Sequence, residues 1–194
     1  MLPNFRISEK GSVSDRFRKK DIDTFHDAVR YINSLPYGRN RNPEKPFTII
    51  VEGIGTCSTK HACLKILAEE NNINSIELHV SIYAMNGVNT PSAGKVLKRY
   101  NLKYLLAAHT YLSYAGKRFD FTHPGNNNNL WENDILIEIP LDSDQIGDWK
   151  NTYHKSVLID WIKRDKIPYT LDEVWIIREK CIDTLGMIKS PIQE

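Results

Sequence analysis

Cys57 stands where a glycine-bearing turn, Gly53-Ile54-Gly55, runs into a segment that reads as a helix. A helix N-terminus favours the thiolate over the thiol, so a cysteine placed there can act as a nucleophile. Such a nucleophile needs a base to hold its proton and a third group to orient that base. Of the six histidines, His109 is the best placed to be the base. It follows the apolar run Leu105-Leu106-Ala107-Ala108, and a hydrophobic strand is a rigid mount for an imidazole. Ala115-Gly116 reads as the two-residue turn of a hairpin. That turn sets Tyr114 opposite Lys117, Ser113 opposite Arg118, Leu112 opposite Phe119 and Tyr111 opposite Asp120. Opposite residues share a face, and so do residues two apart on one strand. Asp120 then lies on the face of Tyr111, Ser113 and His109, diagonal to His109 and within reach of an Asp–His hydrogen bond. A three-residue loop would put Asp120 on the other face.

Other residues near this constellation carry weaker signals. His61 comes four residues after Cys57, about 40° around the same helix. It is placed to line a site, to bind a substrate carboxylate or simply to cover the helix. Lys60 is expected to face solvent. The backbone N–H of Cys57 is a candidate oxyanion donor. Glu52 and Thr56 are near enough to assist, Glu52 as a donor only when protonated. Glu52, Gly55, Thr56, His61 and Tyr111 are therefore the candidate substrate contacts. A zinc site is an alternative, because Cys57, His61, His109 and Asp120 are all acceptable ligands. A catalytically inactive binding module on the same scaffold is another. Cys63 and Cys181 read as small buried apolar residues. His26, His79, His123 and His154 read as surface or packing residues, with His123 close enough to Asp120 to lie near a pocket. Trp131, Trp149, Trp161 and Trp175 read as core or helix-packing residues.

The elements that must hold these residues follow from periodicity. Phe25, Val29, Ile32 and Leu35 recur at helical spacing, and Pro36 ends that run. Tyr37 to Pro46 reads as a loop, and Phe47 to Val51 as a short β-branched strand. Thr56 is placed to N-cap a helix running to about Glu70 that is apolar over much of its circumference and so buried. Ser75 to Tyr83 reads as a strand, Asn86 to Thr90 as a loop and Ala93 to Tyr100 as a short helix. The strands Tyr104 to Tyr114 and Lys117 to Phe121 form the hairpin. The four-asparagine run Asn126 to Asn129 reads as a loop, and Asp134 to Ile139 as another strand. One closing helix covers Asp144 to Arg164. The last starts at Thr170, where Glu173 completes a capping box. Helices, strands and helices in this order describe an α+β fold, with a central buried helix packed on an antiparallel sheet.

Composition narrows the class. The 194 residues suffice for one domain, with 41% hydrophobic and 26% charged residues. A formal net charge of +2 points to neither a nucleic-acid nor a membrane partner. The basic cluster Arg16, Arg18, Lys19, Lys20 reads as a solvated helix face. No run of about 18 apolar residues offers a transmembrane helix, and Met1 to Lys20 lacks the apolar stretch of a signal peptide. Three cysteines do not make a disulfide framework. The expected setting is the cytoplasm, with no cofactor and a small-molecule or peptide amide or ester as substrate.

The segments Gly55-Thr56-Cys57, Ala108-His109-Thr110-Tyr111 and Arg118-Phe119-Asp120-Phe121-Thr122 together resemble the transglutaminase-like branch of the papain-like cysteine enzymes. The resemblance spans about Phe47 to Thr122. It implies a cysteine at the start of a buried helix facing a histidine and an aspartate on adjacent antiparallel strands. By that resemblance Cys57 is the nucleophile, His109 the base and then the acid, and Asp120 the orienter. An aromatic neighbour is usual beside the family's cysteine and histidine, but Ser58 and Thr110 stand there here. The segment Gly55 to His61 also resembles a GTCSxKH stretch in bacterial proteins without an assigned function.

Overall fold

A computed structural model of the chain describes residues 1–124 and 129–186. Of the expected loop Asn126 to Asn129, residues 126–128 lie outside the described residues. Among those described, seven α-helices and a four-stranded antiparallel sheet make the α+β architecture expected from the element order. None of these helices is long and apolar enough to cross a membrane. The chain divides into two compact units. The first comprises Met1–Val80, Thr110–Gly125 and Ile139–Gly147, and the second Ser81–His109, Asn126–Glu138 and Asp148–Glu194.

The first unit is organised around one helix. Helices α1 (Ser14–Arg18) and α2 (Phe25–Ser34) come first, α2 capped by the Thr24 side chain, which accepts from Asp27 N–H. A 3-10 turn (Pro46–Thr48) leads into α3 (Ile49–Glu52). The expected strand over Phe47 to Val51 is therefore helical. Two physical signals explain it. Ile49 and Ile50 are buried while Val51 is 79% exposed, which is not the alternation of a strand. Gly53 adopts the left-handed conformation (φ 69°) and caps α3 by donating its N–H to Ile49 O. Helix α4 (Cys57–Glu70) then begins at the expected residue and ends at the expected one. It packs against α2, α3 and the 3-10 turn, and ten of its fourteen residues are buried.

Strand β1 (Glu77–Met85), helix α5 (Pro91–Arg99) and strand β2 (Leu105–Tyr114) follow. Strand β3 (Lys117–Phe119) pairs with β2 antiparallel, with Leu112 opposite Phe119, Ser113 opposite Arg118 and Tyr114 opposite Lys117. This is the expected register. Ala115 (φ 49°) and Gly116 (φ 71°) both have positive φ, as a tight hairpin turn of primed type requires. The strand ends two residues before the expected Phe121. Asp120 takes the backbone N–H of Thr122 at 2.9 Å on its own side chain, an Asx turn that competes with the sheet ladder. Strand β4 (Ile135–Pro140) completes the sheet in the order β3-β2-β1-β4.

In the second unit α7 (Leu171–Gly186) packs against α5 and α6 (Asp148–Arg164). The Thr170–Glu173 capping box forms, with Thr170 N–H donating to Glu173 Oε2 at 2.8 Å and Glu173 N–H to Thr170 Oγ1. Trp161 is buried, and Trp149 is half exposed and stacked on Tyr153 one turn along α6. His154 is buried and hydrogen-bonded to Leu106 O at 2.8 Å, and burial pushes its pKa down to about 3.

Candidate functional site

Cys57 is the first residue of α4, buried with 8% of its surface exposed. Its position is fixed by the residues around it. Thr56 caps the helix by accepting from Thr59 N–H, and Thr59 Oγ1 in turn accepts from Thr56 N–H at 2.9 Å. Thr59 Oγ1 donates onward to Asn40 Oδ1 at 2.7 Å, and Asn40 Nδ2 donates to Ile54 O and Glu52 Oε2. One asparagine from the Tyr37–Pro46 loop therefore braces both sides of the Gly53–Gly55 turn. Gly55 N–H donates to Pro36 O, and Gly38 N–H to Gly55 O, both at 3.2 Å. Glu52 is an acceptor, taking Arg41 N–H as well as Asn40, and the Asn40 hydrogen bond holds its carboxyl below the usual range. It is thus not the protonated donor that an oxyanion contact would need.

The next residues of α4 are the largest departure from expectation. Lys60 does not face solvent: it is 0% exposed. Its ammonium donates to Leu35 O, to Thr122 O at 2.8 Å and to Phe121 O at 3.4 Å. Three backbone carbonyls replace the water that burial removes, as a buried ammonium requires. Burial pulls the Lys60 pKa down to about 8, while Asp120 and Cys57 push it back up. Gly55 makes room for this side chain. A Cβ there would lie 2.9 Å from Lys60 Cγ and 3.2 Å from Thr59 Oγ1.

His61 is also fully buried. Its Nδ1–H donates to Cys57 O at 2.7 Å, and its Nε2 accepts from Phe121 N–H at 2.8 Å. That pattern defines the neutral tautomer. Asp120 Oδ1 lies 3.7 Å from the same Nε2. Asp120 also takes the hydroxyl proton of Thr122. The His61 ring lies over Phe121, with centroids 5.8 Å apart. His61 thereby joins Cys57, Phe121 and Asp120 within the first unit. Tyr111, another expected substrate contact, is fully buried with its ring 6.1 Å from His79. His123 stacks on Tyr37 at 5.2 Å. Ser58 Oγ lies 3.3 Å from Thr110 Oγ1 and 3.9 Å from Cys57 Sγ.

His109 belongs to the second unit. There its half-buried imidazole meets the ring of Trp131 edge-on at 4.6 Å and that of Tyr83 at 6.3 Å. Among the described residues, no group of three or more His, Cys, Asp or Glu is arranged to hold a metal ion. Both ring nitrogens of His61 are already engaged, which weighs against the zinc alternative. The three cysteines form no disulfide. Burial pushes the thiol of Cys63 far up and that of Cys181 up to about 11, so both are inert apolar residues, as expected.

Asn40, in a polar loop, and the contact between Ser58 and Thr110 carry no signal singled out from the sequence, and Lys60, expected at the surface, is buried. The chain matches no protein-family model, no curated protein and no solved structure.

Proposed function

We propose that this protein is a cysteine-dependent enzyme of acyl transfer or amide hydrolysis, with a transglutaminase-like, papain-like arrangement of Cys57, His109 and Asp120. The observation that supports it most is the setting of Cys57. The thiol sits in the first turn of a buried helix, where the helix dipole favours the thiolate. Ser58 and Thr110, the residues that follow Cys57 and His109 in the chain, hydrogen-bond to each other.

In this reading His109 takes the Cys57 proton and the thiolate attacks an acyl carbon. The tetrahedral oxyanion is met by the Cys57 backbone N–H. Collapse breaks the carbonyl–leaving-group bond, and the imidazolium returns its proton to the departing amine or alkoxide. The thioester is then cleaved by water or an amine, deprotonated by His109. Asp120 holds the imidazole in its working tautomer.

The test is acylation of the full chain by p-nitrophenyl acetate, followed by peptide mapping. The expected adduct is one acetyl group on Cys57, absent in Cys57→Ala and formed at least about tenfold more slowly in His109→Ala. An iodoacetamide pH profile accompanies it. A Cys57 midpoint at or above the ordinary thiol value of about 8.5, with no acetyl adduct, would overturn the reading.

A further inference from the structure

Lys60 is the one described charged side chain of the Gly53–His61 segment that is wholly buried, and the mechanism above assigns it no task. Its ammonium joins two backbone segments to α4, the end of α2 through Leu35 O and the residues after β3 through Phe121 O and Thr122 O. Asp120 directly precedes that second anchor. Cys57 lies three residues before Lys60 on α4, so the two share a face of the helix, and Asp120 and an ionised Cys57 sulfur are the opposite charges that would act on the ammonium. On the turn before α4, Gly55 lies against the Lys60 side chain, where a Cβ would be 2.9 Å from Lys60 Cγ.

We propose that Lys60 is a positioning residue for the Cys57 site, whose buried ammonium holds the Asp120–Thr122 segment against α4 and favours the thiolate form of Cys57. The proposal rests on the reading of Cys57 as nucleophile. It assigns the cation three carbonyls as a fixed cradle, so that its charge stays in place instead of following solvent. A positive charge fixed in a poorly solvated place acts on a neighbouring thiol more strongly than an exposed lysine would. The first-turn dipole of α4 acts in the same direction. At neutral pH a lysine with a pKa of about 8 is still mostly charged.

The experiment compares the iodoacetamide pH profile of Cys57 in the wild-type chain, Lys60→Met, Lys60→Gln and Lys60→Arg, with a thermal melt of each. Loss of the charge is expected to raise the Cys57 midpoint by about one pH unit, making alkylation about tenfold slower well below that midpoint. Lys60→Arg, which keeps the charge, is expected to restore most of the wild-type profile. A merely structural lysine would change the melt and leave the midpoint alone. Lys60→Gln keeps a donor for the carbonyls and serves where Lys60→Met does not fold. A folded uncharged variant with the wild-type midpoint overturns the proposal while the nucleophile reading survives. A wild-type Cys57 with an ordinary midpoint overturns both.

Discussion

The hydroxyls of Ser58 and Thr110 lie 3.3 Å apart, tying the first turn of α4 to the middle of β2. Both residues are buried. The pair fastens the cysteine-bearing helix to the part of β2 that belongs to the first unit. Removing either hydroxyl is expected to cost about 1 kcal/mol. The double variant Ser58→Ala/Thr110→Val should cost less than the sum of the singles, with a coupling of about 0.5–1 kcal/mol. Urea denaturation of the four-protein cycle measures it, and strict additivity would remove the contact from the account.

Gly55 is held to glycine by its neighbours and not by its φ. Gly55→Ala places a methyl 2.9 Å from Lys60 Cγ, on a side chain whose far end is pinned by three carbonyls. A loss of about 1–3 kcal/mol is expected from overpacking. Gly53→Ala meets no atom within 4 Å but keeps a positive φ, so its cost of about 1 kcal/mol is conformational. Adding Lys60→Met should relieve part of the Gly55→Ala loss and none of the Gly53→Ala loss. Thermal melts of the single and paired variants check this.

Thr59 closes a capping box and reaches Asn40. Thr59→Val keeps the shape and loses both hydrogen bonds, for an expected cost of about 1–2 kcal/mol. Thr59→Ser should recover most of it. If Thr59→Val melts with the wild type, the Asn40 brace does not hold the turn before Cys57.

His154 makes stability depend on acid. Burial is the main cause of its lowered pKa, helped by the charge of Arg178. The unfolded chain therefore binds a proton that the folded chain refuses, between the ordinary histidine value of 6.5 and about pH 3. Stability from this group is intact above pH 6.5 and falls as pH drops through that window. His154→Gln, which keeps a donor for Leu106 O, should flatten that part of the curve. Denaturation midpoints from pH 7 to pH 4 compare the two proteins.

The legible parts of this chain were those with a local cause. Thr56 announced α4, Glu173 announced α7, and Ala115-Gly116 set the hairpin register, because caps and tight turns are written in a few adjacent residues. Phe47 to Val51 misled because a short β-branched run has no period of its own, and burial of Ile49 and Ile50 on one side decided for helix. The hairpin pattern predicts Asp120 as a strand residue, whereas its side chain turns back to Thr122 and pairing stops at Phe119. Lys60 is buried where its residue type predicts exposure. A lysine is buried only when distant backbone carbonyls converge on it, and Leu35, Phe121 and Thr122 lie 25, 61 and 62 positions away.

The Asx turn at Asp120 has a consequence for the whole sheet. Strand β3 is an outermost strand, and the turn stops it after three residues. Two of those three, Lys117 and Arg118, are cations exposed to water. An extended chain arriving at this border would find a template of barely one repeat, flanked by positive charge, too short to seed the cross-strand growth that leads to aggregates. The aspartate that ends the strand thus also guards this border of the sheet against self-association.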